Sequence, residues 1–381
     1  MAFADPKLKL ARSSRIADMT LSFDRTFNVA SQPSILNDKG MWVDAPVNPR
    51  DASQRHPKGP AMTMPAAIAR RLSIPVIGSP LFIISNPDLV IAQCKAGVIG
   101  SFPSLNARPL TQLDEWLTRL GEELTDAHAP YAVNLIVHKT TARLEEDLAL
   151  VVKHKVPIVI TSLGARADVN AAIHSYGGIV LHDIINDRFA RKAVEKGADG
   201  LIAVAAGAGG HAGTISPFAL VQEIRAWFSG PLALSGSIAN GSAVLAALAM
   251  GADFAYIGSA FIATTEARAD DRYKAMIVDS AASDIVYSNL FTGVHGNYLR
   301  PSIVAAGMDP DNLAVSDASA MNFGSGGNSD AKAWKDIWGC GQGIGAVTEV
   351  QGAAAFIAKL RREYDVARAR LGLAEAVRAA A

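Results

Sequence analysis

The sequence has few cysteines, few charges and no long apolar run, and each shortage excludes a class of protein. Its two cysteines, Cys94 and Cys340, lie far apart and outside any CxxC pattern, which argues against a disulfide framework and against a zinc site. Charged residues make up only 19% of the chain, and 36 basic residues balance 36 acidic ones. A nucleic-acid or anionic-membrane partner is therefore not expected.

The chain also lacks targeting and membrane-spanning patterns. No segment approaches the roughly 20 apolar residues that cross a bilayer. The first residues, MAFADPKLKLARSSRIADMT, have no apolar core of the kind found in secretory signals. Together with the scarcity of cysteine, these absences predict a cytoplasmic protein without a metal site or a membrane partner.

A regular alternation begins at Leu72, where short apolar runs take turns with stretches of helical periodicity. Eight runs are predicted strands, at residues 74–79, 96–101, 131–136, 156–161, 178–183, 200–205, 231–236 and 254–259. Continuous apolar strands, each followed by an amphipathic helix, indicate a parallel sheet covered by helices. Eight such units favour an α/β fold of the (β/α)8 TIM-barrel type over an open doubly wound sheet.

The rest of the chain is divided by composition. Residues 1–71 are polar and proline-rich without a sustained period, which predicts an N-terminal arm that could lie over a second copy in a homodimer. Residues 72–264 form the predicted barrel. Residues 265–345 no longer alternate and are predicted to form a C-terminal helical cap over the barrel mouth, followed by a packing helix within residues 346–381.

Two Gly-Ser turns follow the predicted seventh and eighth strands, at Gly236 and Ser237 and at Gly258 and Ser259. Glycine lets a ligand approach the backbone, serine adds a hydroxyl, and the next helix offers N–H groups. Neither loop contains lysine or arginine, and no P-loop is present, so a monophosphate such as flavin mononucleotide or a phosphorylated metabolite is favoured over ATP. The simpler alternative is a pair of ordinary strand-to-helix turns.

The stretch AAGAGGHAGT isolates His211 among small residues after the predicted sixth strand. Its glycines would let a planar ring lie against the main chain, and the imidazole would then be a candidate general base. The alternative is a loop histidine that satisfies a backbone carbonyl. Asn134 interrupts the third strand, where its amide either contacts a heterocycle or serves the core. His182 and Asp183 end the fifth strand and are interpreted more simply as loop residues.

The motifs AGAGGHAG, LSGSIANG, GADFAYIGSAF and GCGQGIG together resemble the nitronate monooxygenase family, also called 2-nitropropane dioxygenases. The resemblance runs from about Ile74 to Leu313 and includes the GCGQGIG turn. It implies an FMN-dependent TIM barrel that oxidises alkyl nitronates with O2 to carbonyl compounds and nitrite.

The resemblance also implies roles for individual residues. His211 would face the flavin and remove the α-proton of a nitroalkane. The implied cofactor contacts are Asn134, Lys192, Gly209, Gly210, Gly236, Ser237, Gly258, Ser259 and Gln342. Val204 and Gly207 depart from the pattern, because many members carry a polar and an acidic residue at these positions.

Two other functions fit the same motifs. NAD(P)H-dependent flavin reductases of enoyl thioesters or quinones look similar at these positions. A hypothesis of another class is a non-catalytic barrel that senses a phosphorylated metabolite. The absorbance spectrum of the purified protein separates a flavoprotein from such a sensor.

Overall fold

The computed structural model describes residues 34–36, 42–44, 66–138, 141–316 and 336–373. By its internal contacts the chain divides into two compact units, residues 1–57 and residues 58–381. In the first unit, the strands β1 (Ser34–Leu36) and β2 (Trp42–Asp44) pair antiparallel. The rest of the predicted arm up to residue 65 lies outside the described residues, as do residues 374–381 of the predicted packing segment.

Eight parallel strands of the second unit form the barrel, which confirms the predicted TIM-barrel fold. They are β3 (Val76–Gly78), β4 (Gly100–Pro103), β5 (Tyr131–Ile136), β6 (Ile158–Ser162), β7 (Ile179–Ile184), β8 (Gly200–Val204), β10 (Leu232–Ser235) and β11 (Phe254–Ile257). The order around the sheet is β3, β11, β10, β8, β7, β6, β5, β4. A parallel bridge between Ile77 and Ile99 joins the two ends, and Gly78 N donates to Ile99 O at 2.7 Å. Each strand overlaps its predicted run.

Helices surround the barrel because each carries one apolar stripe that the strands can bury. In α3, the buried residues Leu113, Trp116, Leu117 and Leu120 follow this spacing. The helices are α1 (Ala66–Ala69), α2 (Pro87–Lys95), α3 (Leu110–Glu123), α4 (Leu144–Lys153), α5 (Ala167–His174), α6 (Asp187–Glu195), α7 (Pro217–Arg225), α8 (Gly241–Met250), α9 (Ser259–Ile262), α10 (Asp271–Asp279), α11 (Arg300–Ala305) and α12 (Ala353–Arg370). Helix α12 packs against α8 and α2, so it fills the place of the eighth outer helix.

A short repeat explains how two of the strands begin. The Gly-Ala-Asp segments at Gly197 and Gly251 both follow a helix, and both glycines have a positive φ that lets the chain turn out of the helix. The carboxylates two residues later then accept hydrogen bonds from neighbouring strands. Asp199 accepts from Val180 N at 2.7 Å, and Asp253 accepts from Leu232 N at 2.9 Å.

The inner wall of the barrel changes character along the strands. One layer of inward-facing side chains is apolar and buried: Ile77, Ile99, Ala132, Ile160, Leu181, Ile202, Ala233 and Phe254. Two residues further on, where each strand ends, most inward positions are polar: Ser79, Ser101, Asn134, Ser162, Asp183, Ser235 and Tyr256. Because strand side chains alternate with a period of two, both layers belong to the same face of the sheet. The apolar layer closes the barrel, and the polar layer faces its open end.

The segment after the barrel is only partly helical. Besides α10 and α11 it contains β12 (Ile285–Ser288) and β13 (Gly296–Leu299), which the periodicity did not indicate. These strands form an antiparallel sheet with β9 (Gly210–His211), so the cap segment pairs directly with the glycine-rich stretch. The boundaries of arm, barrel, cap and packing helix stay predictions. Among the described residues, we find no helix with the length and hydropathy required to traverse a bilayer.

Candidate active site

A cavity opens at the carboxyl end of the barrel, where the polar layer of the wall ends. Its described lining includes most of the predicted site residues: Asn134, Gly209, Gly210, His211, Gly236, Ser237, Gly258 and Ser259. These residues come from four different strand ends that the closed sheet brings to one rim. The fold therefore places the predicted base and both Gly-Ser turns around a single space.

Two predicted cofactor contacts lie elsewhere. Lys192 is exposed on α6, a helix that buries Ala190 and Ala193 against the barrel and turns Lys192 outward. The structure does not bring this lysine to the cavity, so we leave it out of the proposed site. Gln342 does not line the cavity, although its main-chain N–H donates to Gly207 O at 2.9 Å. Its contribution is to hold the glycine-rich stretch in place.

His211 is held by its main chain and by its side chain. Its main chain in β9 pairs with Gly296 in β13, and its side-chain Nε2 lies 2.9 Å from Oγ1 of Thr292. Burial lowers the pKa of the imidazole from 6.5 to about 4, because the charged form would lose its hydration. The ring is therefore neutral at physiological pH, which is the state required of a base.

The glycines around His211 allow three loops to meet. A Cβ at Gly209 would lie 2.8 Å from Gly341 N and 2.8 Å from Ser259 Oγ, closer than Cβ atoms approach their neighbours in proteins. Two of these residues are joined by a hydrogen bond, in which Gly341 N donates to Ser259 Oγ at 2.9 Å. The GGH stretch thus packs main chain to main chain against the GCGQGIG turn, which only glycine permits, and the Ser259 hydroxyl of the second Gly-Ser turn lies against both.

The backbone conformation and the packing at position 207 explain why this chain has a glycine there, where the family pattern has an acidic residue. Its φ is +83°, a backbone conformation that residues other than glycine rarely adopt. A Cβ at this position would overlap Ser237 Oγ and approach Gln342 Oε1. Gly236, with φ +140°, faces the same loop, since its Cβ would lie 2.8 Å from Ala206 O. Val204, the second departure, lines the cavity as an apolar residue.

Asn134 begins a chain of hydrogen bonds on the opposite side of the cavity. Its Nδ2 donates to Ile160 O at 3.0 Å and to Ser162 Oγ at 2.7 Å. The Ser162 hydroxyl in turn bonds to Asp183. Since the amide nitrogen is engaged inside the barrel, the carbonyl oxygen is the Asn134 group that remains to accept from a ligand.

Asp183, which the sequence analysis interprets as a loop residue, and Tyr256, which it does not single out, are further functional candidates. Both line the cavity, and burial raises the pKa of the Asp183 carboxyl to about 6 despite the hydrogen bond from Ser162. Burial and the nearby Asp183 carboxylate raise the pKa of the Tyr256 hydroxyl, which also bonds to Ser79. The available signal was the strand period, because each residue lies two positions beyond an inward apolar residue.

The arrangement combines three chemical elements. The loops at Gly236 and Gly258 offer main-chain and hydroxyl groups, and no lysine or arginine is found among the described lining residues. The glycine-rich stretch offers a flat surface, and a neutral imidazole stands at its end. Such a cavity can hold a flat ring with a phosphate tail and present a base to a substrate laid against that ring.

Comparison with known proteins shows which family the chain resembles. A family model described as nitronate monooxygenase matches residues 67–360. The chain is 27% identical to a nitronate monooxygenase of Paraburkholderia phytofirmans over 76% of this chain and 92% of that one. It is 25% identical to a (3aS,4S,5R,7aS)-5-hydroxy-7a-methyl-1-oxo-octahydro-1H-indene-4-carboxyl-CoA dehydrogenase of Rhodococcus jostii, over 65% of this chain and 69% of the relative.

The fold has a counterpart among solved structures. A nitroalkane oxidase from Streptomyces ansochromogenes is similar with a TM-score of 0.67 and 22% identity, over 80% of this chain and 99% of that structure. At this identity the likeness concerns the fold alone. Since the family model extends over far more than half of the sequence, the protein belongs to the nitronate monooxygenase family.

Proposed function

We propose that this protein is an FMN-dependent nitronate monooxygenase, which oxidises alkyl nitronates and nitroalkanes with O2 to carbonyl compounds and nitrite. One observation carries the proposal: the neutral imidazole of His211 lines the same cavity as the two Gly-Ser turns. Family membership and the nitronate monooxygenase relative support it.

The residues present fit FMN. Gly209 and Gly236 line the cavity without a side chain, and a Cβ at either position would collide with the main chain of a neighbouring loop. Ser237, Ser259 and the adjoining main chain would hold a phosphate without a cation. Asn134 and Asp183 would face polar atoms of the ring from the opposite wall. When bound, the flavin accepts electrons from the nitronate and passes them on to O2.

The chain's own contribution to the reaction is proton transfer and positioning. His211, kept neutral by burial, takes the proton from the carbon next to the nitro group and so converts a neutral nitroalkane to its nitronate. A nitronate needs no such step. Leu81, Phe82 and Ile238 give the cavity an apolar side, which suits a short alkyl chain and excludes water from the reacting carbon.

The second candidate is an NAD(P)H-dependent flavin reductase of enoyl thioesters or quinones. It draws support from the Rhodococcus relative, whose name describes a dehydrogenase of a CoA thioester. CoA and NAD(P)H carry several phosphates, whereas the described lining offers no lysine or arginine to meet them. The nitronate reaction requires no lysine or arginine to bind a polyphosphate, and we prefer it for this reason.

One experiment separates the candidates. The purified protein is loaded with FMN, and its visible spectrum is followed after anaerobic mixing with propyl nitronate or with NADH or NADPH. We expect bleaching of the flavin by the nitronate and, after admission of air, formation of nitrite. Bleaching by the nicotinamide alone would replace the proposal by the reductase. A protein that never acquires a flavin spectrum would favour the metabolite sensor.

A further inference from the structure

The loop between β3 and α2 carries a run of apolar residues at the edge of the cavity. We call residues 80–85, with the sequence PLFIIS, the apolar loop. Leu81, Phe82 and Ile84 line the cavity, whereas Ile83 between them is 44% exposed. The loop is therefore a wall with one face on the cavity and the other in solvent. The proposal below rests on the function proposed above.

The apolar loop lies next to the second Gly-Ser turn, where the phosphate of FMN is proposed to bind. A Cβ at Gly258 would lie 3.4 Å from Leu81 Cδ2, which is close to van der Waals contact. Pro103 and Leu105, from the end of β4 and the turn after it, line the same cavity. Near the proposed cofactor site the cavity thus offers apolar surface against which an alkyl chain can be buried.

One amide side chain, that of Asn106, joins the turn after β4 to the apolar loop. Its Nδ2 donates to Leu81 O at 2.9 Å and to Ser85 O at 2.8 Å. Its Oδ1 accepts from Ile83 N at 2.7 Å. Because carbonyl oxygens only accept and a main-chain N–H only donates, these three partners fix the orientation of the amide. Both amide protons of Asn106 are thereby engaged by the apolar loop.

The main chain of the apolar loop is strained at the residue that Asn106 holds. Ile83 has a φ of +59°, in the left-handed region that β-branched residues avoid. Such a conformation persists only where the surrounding structure holds it. Without the hydrogen bond to Asn106, Ile83 can return to an ordinary φ. Its neighbours Phe82 and Ile84 would then leave their places in the cavity wall.

The turn that carries Asn106 is itself fixed to helix α4. Ser104 Oγ donates to Asp147 Oδ2 at 2.7 Å, and Arg143 Nη1 donates to Ala107 O at 2.7 Å. Arg143 and Asp147 also form an ion pair with an Nη2 to Oδ1 distance of 2.7 Å. Hydrogen bonds thus run from an outer helix through Asn106 to the apolar loop, and they keep the loop in one place.

We propose that Asn106 is a positioning residue that makes the site selective for nitronates and nitroalkanes with a longer alkyl chain. It does not line the cavity, so it acts through the apolar loop. While Asn106 holds the loop, each added methylene of the substrate is buried against Leu81, Phe82 and Ile84. Once the loop is released, a longer chain gains little over a shorter one.

The test compares four holoenzymes loaded with FMN: wild type, Asn106→Ala, Asn106→Asp and Asn170→Ala. Aspartate keeps the shape and the acceptor for Ile83 N but loses both donors, so it replaces the alanine variant if that one fails to fold. Asn170 on α5 is the matched control, because its amide also donates to the main chain of another segment, at Lys196 O and 2.8 Å. The first readout is hydrogen exchange of the main-chain amides of residues 79–86, and the second is kcat and KM for ethyl and pentyl nitronate.

We expect the wild type and Asn170→Ala to protect the loop amides from exchange. Both should prefer pentyl over ethyl nitronate in kcat/KM by about tenfold or more, because each buried methylene contributes up to about fourfold. In Asn106→Ala and Asn106→Asp the loop amides should exchange faster. The preference should fall to about threefold or less, through a higher KM for pentyl nitronate, since the lost contact is made equally before and during the reaction.

Three results overturn the proposal: unchanged exchange of the loop in both Asn106 variants, an unchanged preference in both, or a wild type without a preference for the pentyl chain. If the wild type oxidises neither nitronate, the proposed function fails. Loop exchange and the binding of 1-alkanols from ethanol to 1-pentanol, followed by flavin absorbance, then decide without turnover whether Asn106 sets the preference for chain length.

Discussion

His182 and His211 have nearly the same local chemistry but opposite access to the cavity. Nδ1 of His182 lies 2.6 Å from Thr161 Oγ1, and Nε2 of His211 lies 2.9 Å from Thr292 Oγ1. Burial lowers the pKa of each ring from 6.5 to about 4. His182, however, is on the outward face of β7, because its neighbour Asp183 points into the barrel.

The difference teaches that a neutral, threonine-bonded imidazole is not by itself a functional group. His182 packs between the sheet and the outer helices, where it satisfies a buried hydroxyl. His211 lies on a glycine-rich loop that lines the cavity, so a ligand can reach it. Access to the cavity, and not the pKa, distinguishes a candidate base from a core histidine.

The largest expected effect comes from replacing each histidine by asparagine. His211→Asn should bind FMN and oxidise nitronates nearly as the wild type does. Its kcat/KM for neutral nitroalkanes should fall by about 10²- to 10⁴-fold, the usual contribution of a general base. His182→Asn is the matched control and should keep both activities once folded. Steady-state oxygen consumption with both substrates checks this, and equal losses in the two variants would contradict the comparison.

The glycines in the loop that carries His211 provide the next test. Gly209→Ala places a methyl group 2.8 Å from the main chain at Gly341, so one of the packed loops must move. We expect FMN to bind about tenfold more weakly or worse, a change of ~1.4 kcal/mol per factor of ten. Gly121→Ala in α3, where no atom lies within 4 Å, is the control. Fluorescence titration with FMN measures both; unchanged affinity in Gly209→Ala would refute the role of close packing.

A smaller effect is expected at Asp183, the neighbour of His182 that does face the cavity. Its pKa of about 6 means that the carboxyl is charged above this pH and neutral below it. A flavin that covers the carboxyl disfavours its charged form, so FMN affinity should decline as the pH rises through 6, by several-fold. Asp183→Asn should abolish this dependence. FMN titrations between pH 5 and 8 measure this dependence. An FMN affinity that rises with pH would contradict the role given to the Asp183 carboxyl.

The smallest effect concerns what the two histidines share. Each ring takes up a proton more readily in the unfolded chain, where its pKa is near 6.5, than in the folded one, where it is about 4. Between these values the unfolded state binds more protons, so the free energy of unfolding decreases as the pH falls. His182→Asn should reduce this slope by up to about 1.4 kcal/mol per pH unit. Urea denaturation at several pH values measures it, and an unchanged slope would show that His182 titrates normally.

Much of the fold could be predicted because barrel strands are local patterns. Each of the eight predicted runs contains or overlaps a strand, since a buried parallel strand needs a continuous apolar stretch. The Gly-Ser turns were predictable for the same reason, as they follow these runs directly. Lys192 could not be judged from a motif match, because the face of α6 that carries it depends on which residues the helix buries.

Asp183 and Thr292 show two different limits of prediction from the sequence. Asp183 was within reach, since counting in twos from Leu181 places it inside the barrel, but the pattern does not say that the wall becomes polar there. Thr292 gave no sequence signal, because its partner is 81 residues away and they meet only through an antiparallel sheet without a clear period.

The sequence by itself determined the alternation of strands and helices, the number of strand-helix units and the small residues around His211. These features depend on neighbouring residues, whose spacing fixes which side chains are buried. The tertiary structure alone decided which of two similar histidines faces the cavity, and which carboxyl, hydroxyl and amide groups meet across it. Those choices depend on contacts between distant segments, and the free energy of such contacts is set only when the barrel closes and the cap sheet forms.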